Sequence, residues 1–370
     1  MKNVLVFFGG ESCEHDVSVI TGVMAFNAID TDRYNPIAVY VAKNGRWYTG
    51  DRLNDVSAFK NLNYKNLQEV AIFSGDKSLY RIKRGKIKSI CEIYSAVNCC
   101  HGGSGEGGGL YSVLKLSGIP CTSASEFASA LAMDKEFTKL ALKSIGVRCL
   151  PCVRINRENY YLKSQSAIEL IKAKIGFPLI IKPSKLGSSI GITVASDLSE
   201  LERALAVAFT YDEKVIVERA MVGFREINCA AKRVGGEIAV SECEEPAVSG
   251  QMLTFDDKYK LPAEKEFPAK IDAKISNKIK EVTSAIYKRL GFSGVIRVDF
   301  IVCDDEVLVN EINAVPGSLA YYLFCKSTEE FSVFLSELIE ESVDEAMGLK
   351  QNKTTFESGI LNLSSGKIHK

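Results

Sequence analysis

Two short runs in the last third of the chain hold residues suited to phosphoryl chemistry: Arg297-Val298-Asp299-Phe300 and Asn310-Glu311-Ile312-Asn313. In an extended chain alternate side chains share a face, so Arg297 lies with Asp299, and Glu311 with Asn313. Asp299, Glu311 and Asn313 supply oxygen donors, two of them carboxylates. That set suits a hard cation such as magnesium, which shares its coordination with phosphate and water. An arginine beside them would stabilise charge on a transferring group. The two runs must face the same way for this to work. If Asp304-Asp305 formed a two-residue turn with unbroken register, Cys303 would pair with Glu306, Asp299 would face Asn310, and the ligands would lie on opposite faces. The chemistry therefore predicts an odd-length loop (304–306) or a bulge, setting Asp299 against Glu311 and Arg297 against Asn313. Ordinary polar residues on a solvated hairpin would show the same alternation with no metal.

Lys182 and the stretch 185–191, Lys-Leu-Gly-Ser-Ser-Ile-Gly, form a second group. Glycines let backbone N–H groups approach phosphate oxygens, serines add hydroxyl donors and lysine adds a point charge. The stretch is not a Walker A sequence, and a plain turn has the same composition. A third group, Gly9-Gly10-Glu11-Ser12-Cys13-Glu14-His15-Asp16-Val17-Ser18, follows an apolar run and precedes a helical pattern. Ligands of parallel α/β sheets bind at the carboxyl ends of strands, beside helix N-termini. The two glycines alone do not make a dinucleotide fingerprint. Glu14 suits a substrate ammonium group or, equally, the dipole of the helix it precedes. Residues 101–109, beginning at His101, are rich in glycine, which implies close backbone approach or a mobile loop.

The elements that would carry these groups can be read from periodicity. A buried strand is expected over 4–8, a helix over 17–29 with Val17, Ile20, Val23 and Met24 at helical spacing, and strands over 36–40 and 94–99. That order implies a parallel sheet covered by helices. A helix over 133–145 would bury Phe137, Leu140, Ala141 and Ile145 and stop at Gly146. A strand over 179–182 and a helix over 197–209 follow, then strands over 214–218, 226–232, 237–243, 295–303 and 307–312. A helix over 274–290 and another begun by the capping box Ser327-x-x-Glu330 complete the pattern. Boundaries near 120 and 210 divide the chain into an N-terminal α/β unit (1–120), a central unit (121–210), a C-terminal unit (211–347) and a loosely held tail (348–370).

Composition narrows the setting. The 370 residues include 46 Lys+Arg and 46 Asp+Glu, a net charge of +0, with 46% hydrophobic residues. Balanced charge gives no long-range field for a nucleic-acid backbone. No apolar run approaches the roughly 20 residues of a membrane span, and the opening run is too short for a signal segment. A cytoplasmic enzyme is expected. The 11 cysteines are odd in number and irregularly spaced, so they read as reduced and mostly buried. Cys149 and Cys152 form a CxxC, but no second pair or nearby histidine supports a metal or redox role.

Over nearly its full length the chain resembles the D-alanine:D-alanine ligases of the ATP-grasp superfamily. The matching segments are Gly9-Gly10 through Glu14 to Ser18, His101-Gly102 with Gly105-Glu106, residues 130–135, Ile181-Lys182-Pro183 with 187–191, residues 255–259, 297–300, and 310–313 with Pro316-Gly317. The resemblance implies a three-domain α/β and α+β architecture with ATP between the central and C-terminal domains. It places Lys135 and Lys182 on the phosphates, Glu218 near the adenine, Glu226 on the ribose, and two magnesium ions (or manganese) on Asp299, Glu311 and Asn313. It implies that Glu14, Ser188 and Tyr259 form a network closing a lid, that Arg297 and the Gly317 N–H stabilise a tetrahedral intermediate, and that His101, Tyr322 and Leu323 line the substrate subsites. The implied reaction joins two D-alanines through an acyl phosphate for peptidoglycan, in a homodimer. D-serine or D-lactate as acceptor, or a silent nucleotide-binding relative, are the alternatives. Tyr322 stands where many members carry serine, Phe224 is an additional residue between Gly223 and Arg225, and Gly107 replaces a common aspartate.

Overall fold

Val4, Leu5, Val6, Phe7 and Phe8 are fully buried in β1 (Lys2–Gly9), because this strand is covered on both faces. Val4, Val6 and Phe8 pack with Val19 and Val23 of the His15–Ala28 helix and with Phe334 and Leu338 of the Thr328–Lys350 helix. Leu5 and Phe7 pack on the other side with Leu110 and Leu114 of the Gly109–Leu116 helix. Burying each such side chain contributes about 2 kcal/mol. At Gly22 a Cβ would come within 2.2 Å of the Phe8 Cβ, so the absent side chain lets the helix lie directly on the strand.

The computed structural model describes residues 1–246 and 266–362, built on three sheets. The first contains β1, β2 (Tyr34–Val41), β3 (Trp47–Thr49), β4 (Gln68–Ala71), β5 (Ser78–Lys83), β6 (Lys86–Glu92) and β7 (Ser95–Asn98), in the order β6-β5-β4-β3-β2-β1-β7. The expected parallel sheet exists only where β1 pairs with β2 and β7. From β2 outward the pairing is antiparallel, so the N-terminal unit is mixed, not wholly parallel. Sequence reading missed this extension because β6, Lys-Ile-Lys-Ser-Ile-Cys-Glu, is a charged and mostly exposed edge strand with no core-facing pattern.

The second sheet, β8 (Cys152–Asn156), β9 (Leu179–Pro183), β10 (Thr193–Ala195) and β11 (Lys214–Arg219), is antiparallel in the order β10-β9-β11-β8. Leu179, Ile181, Val215 and Val217 face the helices Ser164–Lys174 and Leu198–Tyr211. Alternation therefore turns Lys182 and Glu218 to the opposite face. Since β11 is bonded to both β8 and β9, we propose that the division between the central and C-terminal units lies after Arg219 and not near residue 210.

The third sheet, β12 (Arg225–Val234), β13 (Glu237–Val240), β14 (Val295–Cys303) and β15 (Glu306–Asn313), is antiparallel in the order β13-β12-β14-β15. Its apolar face, including Ile227, Cys229, Val298, Phe300 and Ile312, packs on Ile279 and Ile286 of the Ala273–Arg289 helix. The last helix, Thr328–Lys350, starts at Ser327, whose Oγ accepts the Glu330 N–H at 3.2 Å. Glu330 reaches back to the Lys326 N–H, one residue earlier than in a standard capping box. This helix returns to the first sheet, where Glu340 accepts from Lys2 (2.9 Å) and the Tyr34 hydroxyl (2.7 Å). Residues 351–361 beyond it are exposed. All eleven cysteines are free thiols, five of them buried. Among the described residues no helix is long and apolar enough to cross a membrane.

Candidate active site

The hairpin of β14 and β15 meets the geometric condition set by its chemistry. Asp304 and Asp305 form a two-residue turn, with Asp304 at φ +52°, and Cys303 pairs with Glu306. The pairing runs regularly to Phe300 opposite Val309 and then shifts. Asp299 stands opposite Glu311, Val298 opposite Ile312 and Arg297 opposite Asn313. Asn310 is the extra residue, so of the two expected solutions the chain uses the bulge. The Arg297 guanidinium donates to both Asp299 oxygens, Nε at 2.6 Å and Nη2 at 2.8 Å, and Asn313 Nδ2 donates to Asp299 Oδ2 at 3.1 Å. Burial alone would lower the Arg297 pKa, but the Asp299 carboxylate outweighs it and keeps the guanidinium charged. The hydroxyl of half-buried Tyr322 also engages Arg297, and desolvation pushes the phenol pKa up.

Facing this hairpin are three lysines whose placement begins at Asp134. Its carboxylate accepts the N–H groups of Glu136 (3.1 Å) and Phe137 (3.3 Å) and the Ser184 hydroxyl (3.0 Å). This N-cap splits the region into the helices Glu126–Met133 and Lys135–Ser144. It also sets the rotation of the second helix, which buries Lys135, Thr138, Lys139 and Leu142. The expected apolar face is only partly buried: Ile145 packs on the core, but Phe137 and Leu140 are 53% and 55% exposed. The helix still stops as expected, with Gly146 at φ +74°. Lys135 Nζ donates to the Leu186 carbonyl at 2.6 Å and lies 3.4 Å from Glu311. Lys182 Nζ lies 2.7 Å from Glu218 Oε2 and donates to Asn310 Oδ1 at 3.0 Å, while Lys139 Nζ lies 2.6 Å from Glu218 Oε1. Glu218 is fully buried. Burial would raise its pKa, but Lys139 and Lys182 together outweigh it and hold the carboxyl at about 2.

At the carboxyl end of β1, Glu14 stands at the N-cap position of the His15–Ala28 helix without a side-chain capping bond, and its carboxylate accepts a hydrogen bond from the Ser188 hydroxyl. Its carboxylate fits between two glycines: a Cβ at Gly102 would come 2.7 Å from Glu14 Oε2, and one at Gly187 would come 2.8 Å from the same oxygen. Glu106 lies nearby, accepting the N–H groups of Gly102 (2.8 Å) and Val315 (3.2 Å). Burial first, and Glu14 second, push its carboxyl up to about 7. His101 Nδ1 donates to the Val315 carbonyl at 2.7 Å, which leaves Nε2 to accept from the Thr21 hydroxyl at 2.8 Å. Thr21 Oγ1 in turn accepts the Ser318 N–H at 3.1 Å. This chain of bonds braces an unusual turn after Gly317, where Ser318, Leu319 and Ala320 have φ of +53°, +52° and +48°. Each left-handed non-glycine residue costs about 1–2 kcal/mol, so buried Leu319 and Ala320 and the Thr21 bond must offset that strain.

Comparison with known proteins matches the D-ala D-ala ligase N-terminus to residues 3–124 and the D-ala D-ala ligase C-terminus to residues 141–344. The chain belongs to the D-alanine:D-alanine ligase family. A D-alanine--D-alanine ligase of Thermosipho melanesiensis is 34% identical, covering 99% of this chain and 100% of its own. The solved D-Alanine-D-Alanine ligase of Helicobacter pylori is 30% identical with a TM-score of 0.75, covering 92% of this chain and 98% of its own. The VanG D-Ala:D-Ser ligase of Enterococcus faecalis is 29% identical with a TM-score of 0.74, covering 94% and 99%. The fold is that of these ATP-grasp ligases.

Against this family background, most residues singled out in the sequence converge. Arg297, Asp299, Glu311 and Asn313 share one face, Lys135 and Lys182 reach it, and Glu14 meets Ser188. Gly317 follows directly at the end of the same segment. Glu226 lies on β12 opposite Ile301 and is half-buried. The Leu323 side chain packs in the core beneath β1, and both His101 ring nitrogens are engaged within the protein, by Val315 and Thr21. Tyr259 lies outside the described residues, as does the expected lid over 255–259. Three residues were missed. Lys139 follows Lys135 by one helical turn, a spacing that could have found it. Glu106 stood in the glycine-rich run, and Thr21 gave no signal within its helix.

Proposed function

We propose that the chain is an ATP-dependent ligase joining two D-alanines through an acyl phosphate. The observation that carries this is the meeting of two sheets: Lys135 and Lys182, from the central region, lie 3.4 Å from Glu311 and 3.0 Å from Asn310 on the β14–β15 hairpin. A cleft lined by lysines on one wall and carboxylates on the other fits a nucleotide triphosphate with its cation. Among the described residues no group of three or more His, Cys, Asp or Glu gathers as a metal centre. The donor set here is two carboxylates and an amide, all oxygen, which fits magnesium held jointly with phosphate; Asp299, Glu311 and Asn313 would hold it, as two ions or with manganese in its place. Bound there, the cation would neutralise charge on the phosphates.

Glu14, oriented by Ser188, holds the ammonium group of the first D-alanine so that its carboxylate meets the γ-phosphoryl group held by Lys135 and Lys182. Glu218 lies toward the adenine and Glu226 toward the ribose. The carboxylate oxygen attacks phosphorus, ADP leaves and the acyl phosphate forms. The amine of the second D-alanine attacks the acyl carbon, and the Arg297 guanidinium with the Gly317 N–H stabilises the oxyanion until phosphate departs. Tyr322, against Arg297, borders the acceptor position. His101 acts through its bonds to Val315 and Thr21, which hold the segment carrying Gly317. The product serves peptidoglycan synthesis, in the cytoplasm, from a homodimer.

The test is phosphate release from ATP with D-alanine alone and with equal D-serine or D-lactate. Release with D-alanine alone, yielding the homodipeptide, supports the reading. Release only in the mixtures would move the acceptor assignment, which Tyr322 makes the position to examine.

A further inference from the structure

Glu218 is fully buried, and two lysines, themselves buried, each contact one of its oxygens: Lys139 at Oε1 (2.6 Å) and Lys182 at Oε2 (2.7 Å). One anion between two cations leaves a surplus positive charge, and the two lysines are not placed alike. Lys182 extends from β9 and also bonds Asn310 on the metal-type hairpin, so it borders the phosphate side. Lys139 comes from the inward face of the Lys135–Ser144 helix, and its ion pair is with Glu218. We infer that Lys139 is a positioning residue for the nucleotide: it supplies the resident counter-charge of Glu218, so that the charge of Lys182 is available to the phosphates. The physical reason is that a buried carboxylate binds whichever cation remains. With Lys139 removed, Glu218 and Lys182 become a closed neutral pair, and the phosphate subsite loses one unit of positive charge. Lys139 thus acts on the phosphates without touching them.

This inference rests on the reading of the cleft as an ATP site, and the experiment separates the two. Binding of magnesium-ATP and of adenosine is measured by calorimetry for the wild-type protein, Lys139→Met and Lys139→Arg. Wild-type protein that binds neither overturns the ATP reading itself. If wild type binds ATP, Lys139→Met should weaken ATP by about ten- to a hundred-fold, the range of a lost charge-assisted contact, while adenosine changes by less than about three-fold. Lys139→Arg, which keeps the charge, should restore most of the ATP affinity. Equal losses for ATP and adenosine would overturn the inference, because a residue that only shapes the pocket affects both alike. A double-mutant cycle covers the case in which Lys139→Met folds poorly. In a Glu218→Gln background, with no carboxylate to neutralise, adding Lys139→Met should alter ATP affinity by less than about three-fold. A full loss in that background would also overturn it.

Discussion

Asp299 stands directly across from Glu311, and it does so because Asn310 is an extra residue in β15. The two-residue turn alone would have put Asp299 opposite Asn310 and turned Glu311 toward the core. Asp299 is also the bidentate partner of Arg297, so in the proposed mechanism it would serve two demands at once. Asp299→Asn should lower magnesium-dependent turnover by about a hundred-fold or more. It should also destabilise the fold by about 3 kcal/mol, because Arg297 keeps its buried charge without a full counter-ion. Turnover and thermal unfolding of the variant check both, and unchanged activity would show that the ligand set is wrong.

Gly187 tests the proposed ammonium subsite. Its φ is not in the left-handed region, so alanine suits the backbone, yet the added Cβ would come 2.8 Å from the Glu14 carboxylate. The carboxylate must then shift. Gly187→Ala should raise KM for the first D-alanine by about ten-fold or more with the unfolding midpoint little changed, since misplacement of a binding group by even about 1 Å is costly. Steady-state kinetics at saturating ATP gives the answer, and an unchanged KM would separate Glu14 from substrate binding.

His101 gives a pH test of the brace it forms with Thr21 and Val315. Burial first, and the Arg297 charge with it, lower its pKa from 6.5 to about 4, against the opposing bond to Val315. The fold thus keeps the ring neutral where the unfolded chain would protonate it. Its contribution to stability is complete above pH 6.5 and is lost as pH falls from 6.5 toward 4, by about 3 kcal/mol in all. Denaturant unfolding of wild type and His101→Gln at pH 7 and pH 4 should show wild type losing more of its stability by about that amount. Parallel losses in the two proteins would contradict the neutral, bonded ring.

Where chemistry imposed a geometric condition, the sequence was informative: the facing of Asp299 and Glu311 required a register break, and the break is present. Burial on both sides of β1 was equally legible, as a continuous apolar run. The errors came where two patterns competed. In the Lys135–Ser144 helix, Phe137 and Leu140 looked like the core face, but the Asp134 cap and the ion pairs of Lys135 and Lys139 fix the opposite rotation. The outer strands of the first sheet escaped notice because charged, exposed residues carry no periodic signal. The role of Thr21 depends on a turn nearly 300 residues away, and no local pattern encodes such a contact.

The central claim is ligation through an acyl phosphate, and oxygen transfer tests it most directly. The protein is supplied with magnesium, ATP and D-alanine whose carboxylate carries oxygen-18, and the released phosphate and dipeptide are analysed by mass. The account predicts D-alanyl-D-alanine together with phosphate bearing one labelled oxygen per dipeptide, because the oxygen that attacked phosphorus leaves with it. Unlabelled phosphate, or ATP turnover with no dipeptide, would contradict it.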